Sequence, residues 1–182
     1  MNIAPTSIPD VLLIEPVVRG DQRGFFLETW HAARYTELGI GAPFVQDNHS
    51  RSLRGTLRGL HYQVEQPQGK LVQAVTGTVF DVAVDLRRSS PSFRRWVGVE
   101  LSELNHRQLW VPPGFAHGFY VLSEQADLVY KCTDFYAAEH ERTVRWDDSE
   151  LAIQWPLIGT APPILSSKDA AGLPLGAAPV YP

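Results

Sequence analysis

The chain has 182 residues, 44% of them hydrophobic, with a formal net charge of -4, 14 glycines, 14 prolines and one cysteine. That length supports one well-buried core, the apolar share excludes a disordered chain, and an acidic balance without a long basic stripe argues against nucleic-acid binding. The lone Cys132 cannot form an internal disulfide, and the start Met1-Asn2-Ile3-Ala4-Pro5-Thr6 has neither a basic nor an apolar leader, so a cytoplasmic location is expected.

Period-two alternation predicts strands over 11–18, 24–30, 44–50, 56–63, 69–75, 80–86, 93–101, 107–111, 117–122, 127–132 and 143–146. The first of them, around Val11-Leu12-Leu13-Ile14, is far too short to cross a membrane. Ahead of the second stands Arg23, and within it Phe26 and Glu28 share a face. The stretch His31–Leu38 reads as a helix stopped by Gly39. In 44–50, Gln46 and Asn48 share a face suited to hydroxyl or phosphate oxygens, while His49 has the opposite parity.

Between residues 51 and 70 stand Arg51, Arg54, Arg58 and Lys70 against Glu65 alone. Arg51 and Arg54 suit a solvated loop, but Arg58 and Lys70 interrupt strands, which suits an anionic ligand or a developing oxyanion. Arg58 and His61 have opposite parity, so a bulge near Gly59 is expected if both serve one site. The set Phe80, Val82, Val84 and Leu86 forms one face of the next strand, with Asp81 and Asp85 on the other.

His117 and Tyr130 then interrupt two further apolar strands, as His61 and Lys70 do earlier. Four polar residues on four strands of one barrel mouth suggest a pocket for proton chemistry. Taken singly, His117 and Tyr130 read as structural, and Tyr136, Glu141 and Lys168 as surface residues. Ser166–Ala171 reads as a short capped turn, and the tail from Gly172 as mobile or packed on a partner subunit. Roughly ten short strands between Gly, Pro and Ser breakers indicate an all-β jelly roll or barrel, one domain spanning 1–182.

Two segments sharpen that expectation. The glycine at 55 with His61 six places on, and Pro112-Pro113-Gly114-Phe115-Ala116-His117, resemble the two motifs of the cupin superfamily. Metal-binding cupins carry a further His two places after the first and a Glu soon after. Here those places hold Gln63 and Pro67-Gln68, and Lys70 nearby would repel a cation. No metal is therefore expected.

Phe44–Ser52, Leu57–Gln63, Phe80–Leu86, Gly114–Phe119, Tyr130–Asp134 and Ile164–Asp169 together resemble the dTDP-4-dehydrorhamnose 3,5-epimerase family. The resemblance implies a cupin-type double-stranded β-helix with a few short helices. It also implies cofactor-free epimerisation at C3 and C5 of a dTDP-linked 4-keto-6-deoxyhexose, carried out by a homodimer. His61 matches the family's base, Tyr130 its acid and Asp169 the carboxylate behind the base. Lys70 and Arg58 match holders of the enolate oxygen, Arg23 a diphosphate contact and His117 a substrate contact. Phe26, Glu28, Gln46 and Asn48 fall to substrate binding, Tyr136 to stacking on thymine, and Glu141 and Lys168 to the rim. The rival readings are an epimerase acting at C3 or C5 only, a 3,4-ketoisomerase, a metal-dependent cupin, and a binding module without chemistry.

Overall fold

A computed structural model describes residues 1–41 and 43–182. In chain order the strands are β1 (Asn2–Ala4), β2 (Leu12–Glu15), β3 (Val18–Asp21), β4 (Gly24–Leu27) and β5 (Gln46–Leu53). They continue with β6 (Leu57–Gln63), β7 (Lys70–Thr76), β8 (Thr78–Asp85) and β9 (Trp96–Ser102). The last are β10 (Gln108–Val111), β11 (Phe115–Val121), β12 (Gln125–Cys132) and β13 (Glu141–Thr143). Two short helices, α1 (Ala32–Glu37) and α2 (Ser167–Ala170), fall where the sequence places them.

The strands form a six-stranded sheet, β1-β2-β10-β7-β12-β5, and a five-stranded sheet, β13-β6-β11-β8-β9, both antiparallel; β3 and β4 make a separate hairpin. This is the double-sheet jelly roll expected from the alternation, of the cupin type that the resemblance implies. Between the sheets lie Val72 and Ala74 of β7, Ala126 and Leu128 of β12, and Phe115, Phe119 and Val121 of β11. Since side chains two apart share a face, Lys70 and Tyr130 continue their rows toward one end of the barrel, and His117 interrupts the row between Phe115 and Phe119. The polar residues therefore replace core residues at that end.

Parts of both outer faces are also covered. Val82, Val84 and Leu86 pack outside the five-stranded sheet with Val144, Leu151, Leu175 and Ala178. Residues 172–182 thus lie along their own chain, with Tyr181 bridged to Arg87. On the outside of the other sheet, Tyr35 of α1 packs with Ile14, Ile40, Leu71 and Trp110. No helix among the described residues is long and apolar enough to cross a membrane.

The irregularity expected at Gly59 is present. Register runs from the pair His117–His61 to the pair Phe119–Arg58, so β6 advances three positions while β11 advances two. Gly59 adopts φ 126°, and a Cβ there would lie 2.5 Å from the Gly118 Cα. The extra residue brings Arg58 and His61 to the same cavity despite their opposite parity. Gly59→Ala would impose both the positive φ and the backbone clash, costing about 3 kcal/mol. The expected drop in Tm is about 10 °C for a chain of this size, and a shift under about 2 °C would show that β6 tolerates a regular register.

Candidate active site

A cavity of about 260 Å³ opens at the polar end of the barrel. It is lined by Arg58 and His61 of β6, Lys70 of β7, His117 of β11 and Tyr130 of β12, from both sheets. Tyr136, Glu141 and Lys168 stand around it as well. The jelly roll thus joins eight of the residues singled out in the sequence.

His61 and His117 face each other in register, yet each ring is turned to its own carboxylate. His61 Nε2 lies 2.6 Å from Asp169 Oδ1, and His117 Nε2 lies 2.9 and 3.0 Å from the two oxygens of Asp81. A carboxylate only accepts, so Nε2 of His61 carries the proton and Nδ1 keeps the free lone pair. Asp169 is 3% exposed and also accepts from the Gly59 N–H at 3.1 Å and the Ser166 hydroxyl at 2.6 Å. Ser166 caps α2 in turn, its oxygen accepting from the Asp169 N–H. Burial works to raise the Asp169 pKa, but these donors outweigh it and hold the carboxyl well below its ordinary range.

Burial pulls the His61 imidazole below the usual histidine range, with the Asp169 hydrogen bond opposing. A neutral ring at pH 7 is the state a base requires. Burial pushes the Tyr130 phenol up, which keeps its proton on, and pulls the Lys70 ammonium down. The Arg58 guanidinium is held from behind by the Ser52 hydroxyl at 2.9 Å and the Arg51 carbonyl at 3.2 Å.

Each carboxylate around the cavity is already engaged, Asp169 by His61, Asp81 by His117 and Glu141 by Lys168. Among the described residues, that leaves Arg58 and Lys70 without an acidic partner. Two unneutralised cations in one half-buried pocket of a chain with net charge -4 favour an anion or a developing oxyanion. Arg51 and Arg54, by contrast, pair with Asp127 and Glu124 away from the cavity, as solvated residues should. Among the described residues no group of three His, Cys, Asp or Glu stands ready to hold a metal.

Other residues singled out in the sequence lie elsewhere. Gln46 accepts from the Tyr136 N–H at 2.9 Å and donates to Asn48 at 3.0 Å, so it supports the rim. Asn48 borders a second cavity, of about 470 Å³, which shares only Tyr130 with the first among their lining residues. Arg23, Phe26 and Glu28 sit on or beside the β3–β4 hairpin, outside the cavity of their own chain. There Arg23 pairs with Asp21 and Glu28 with Arg34, while Phe26 is 70% exposed.

The reading of the sequence also missed residues. Ser50, which lines the cavity, shares the parity of Gln46 and Asn48, and that parity was the available signal. Asp81 was visible only as the polar side of an alternating strand. Its burial and its bond to His117 follow from β8 pairing with β11.

A family model described as dTDP-4-dehydrorhamnose 3,5-epimerase matches residues 5–176. The chain is 57% identical to the dTDP-4-dehydrorhamnose 3,5-epimerase of Pseudomonas aeruginosa, over 100% of each. Its fold is similar to that of a dTDP-6-deoxy-D-glucose-3,5-epimerase from Legionella pneumophila in complex with dTDP-4-keto-L-rhamnose. That pair shows a TM-score of 0.94 and 56% identity, covering 97% of this chain and 93% of that one. A 3'-monoepimerase from Streptomyces bikiniensis in complex with dTDP-quinovose is also similar, with a TM-score of 0.86 and 35% identity over 94% of this chain and 87% of that one.

Proposed function

Because the chain belongs to the dTDP-4-dehydrorhamnose 3,5-epimerase family, we propose that its barrel-end cavity epimerises a dTDP-linked 4-keto-6-deoxyglucose at C3 and C5. His61 Nδ1 takes the proton from a carbon next to the 4-keto group, and Asp169 holds the ring and the charge it gains. Electron density moves onto the 4-oxygen as an enolate. Tyr130 then delivers a proton to the opposite face of that carbon, and inversion follows.

The barrier this must overcome is large. A ketone α-proton lies on the order of a dozen pKa units above imidazole, or about 16 kcal/mol. Lys70 and Arg58, preorganised and unpaired, stabilise the enolate oxygen as it forms, without a metal or other cofactor in this scheme. That pair of uncompensated cations between a base and an acid is the observation that carries the reading. His117, fixed by Asp81, contacts the sugar.

A cavity of about 260 Å³ suits the hexose and leaves the nucleotide at the rim, against Tyr136, Glu141 and Lys168. Arg23, Phe26 and Glu28 join it only if the chain is a homodimer in which one protomer's hairpin lies across its partner's cavity. The exposure of Phe25 and Phe26, 62% and 70%, supports that arrangement. A single domain with one reduced thiol, Cys132, fits a cytoplasmic enzyme.

Likeness to a monoepimerase means that the fold alone does not decide between one inversion and two. Proton NMR of the nucleotide sugar in deuterated water does. Wild-type enzyme is expected to wash both the C3 and the C5 protons into solvent. Exchange at one carbon only would narrow the activity to single epimerisation, and exchange at neither would overturn it.

A further inference from the structure

The segment after β12 that brings Tyr136 to the cavity has no strand partner to hold it, and its two aromatic residues, Phe135 and Tyr136, are exposed. Glutamine side chains fix its backbone instead. Gln63 is 3% exposed; its Nε2 donates to the Phe135 carbonyl at 3.2 Å and the Gln66 carbonyl at 2.8 Å, and its Oε1 accepts from the Ala137 N–H at 2.9 Å. Gln68 Nε2 donates to the Asp134 carbonyl at 2.9 Å. The Tyr136 phenol then donates to Glu141 Oε2 at 2.9 Å, and Glu141 Oε1 accepts from Lys168 at 2.9 Å.

We propose that Gln63, assisted by Gln68, is a positioning residue for nucleotide recognition: it holds the 134–137 backbone so that Tyr136 and its Glu141–Lys168 partners meet the nucleotide end of the substrate. Gln63 stands two places after His61, on the same strand, where metal-binding cupins carry a further His. A carboxamide is suited to this task because it donates and accepts at once, satisfying a carbonyl on one side of Tyr136 and an N–H on the other. A loop held in its binding conformation loses less freedom when the ligand arrives.

The inference rests on the proposed nucleotide-sugar activity, and its test separates the two. KM, kcat and competitive inhibition by dTDP would be compared for Gln63→Leu, Gln68→Ala and Tyr136→Ala, and for Gln63→Leu combined with Tyr136→Ala. Gln63→Leu is expected to raise KM and the dTDP inhibition constant together, about tenfold, with kcat within about twofold. In the Tyr136→Ala background it should add less than about twofold, because it acts through that ring. A fall in kcat at unchanged KM, or the full loss persisting without the ring, would overturn the assignment. Should Gln63→Leu fail to fold, Gln68→Ala is read by the same criteria, with an expected rise of about threefold. Wild-type protein inactive on the sugar would count against the epimerase reading, while direct dTDP binding still judges the glutamines.

Discussion

His61→Ala is expected to abolish deuterium exchange at both C3 and C5 and to lower kcat by on the order of 10³-fold or more, equivalent to about 4 kcal/mol of barrier. The ring has only one nitrogen free to act, because Nε2 is tied to Asp169 at 2.6 Å. Of the other groups that line the cavity, His117 is bonded to Asp81 through the same nitrogen and Glu141 is engaged by Lys168 and Tyr136, so the choice of His61 as base rests on its match to the family's base. Asp169→Asn tests the same unit from behind. An amide can present N–H to Nε2, which favours the tautomer with its proton on Nδ1, the wrong nitrogen for a base.

Asp169→Asn should therefore retain binding of dTDP and lose most of kcat. Asp169→Ala is the poorer probe, since it also strands the Gly59 N–H and the Ser166 hydroxyl. Both variants would be assayed by proton NMR in deuterated water beside a thermal melt. His61→Ala exchanging either proton within about tenfold of the wild-type rate would remove His61 from the mechanism.

Tyr130→Phe should separate the two halves of the reaction. The phenol makes no hydrogen bond to the described residues, so its removal orphans no buried partner and Tm should change little. Burial pushes its pKa up, so it enters the reaction protonated, as an acid must. Without it, His61 still removes a proton and returns one from the same face. Exchange at C3 should persist within about fivefold, while inverted product forms on the order of 10²-fold more slowly. Equal losses of exchange and inversion would mean that Tyr130 serves binding or enolate stabilisation instead. The two rates are read from one sample, deuterium content against product stereochemistry.

Much of the catalytic end was legible because a strand writes its faces in alternate residues. Lys70 continues the row of Val72 and Ala74, and Tyr130 the row of Leu128 and Ala126, so a polar residue in an apolar row announces a pocket. Parity likewise exposed the conflict between Arg58 and His61, and the bulge at Gly59 resolves it. The hairpin was less legible. Arg23, Phe26 and Glu28 were chosen by resemblance, and no local pattern says that their hairpin stands apart from the cavity of its own chain.

By itself, the order of residues placed most of the strands, though not β1 or the body of β3, together with the two helices and the irregularity at Gly59, and it marked the residues proposed to bear the chemistry. Tertiary structure alone decided which sides of those strands are interior. In β8, Val82 and Val84 pack outward beneath the C-terminal segment, while Asp81 turns inward to His117, the reverse of what hydrophobicity suggests. Alternation defines two faces but not what covers each, and here both are covered. The same holds for the pairing of His61 with Asp169, 108 residues apart. Only the return of the chain after β13, which lays α2 against β6, brings that carboxylate to the ring.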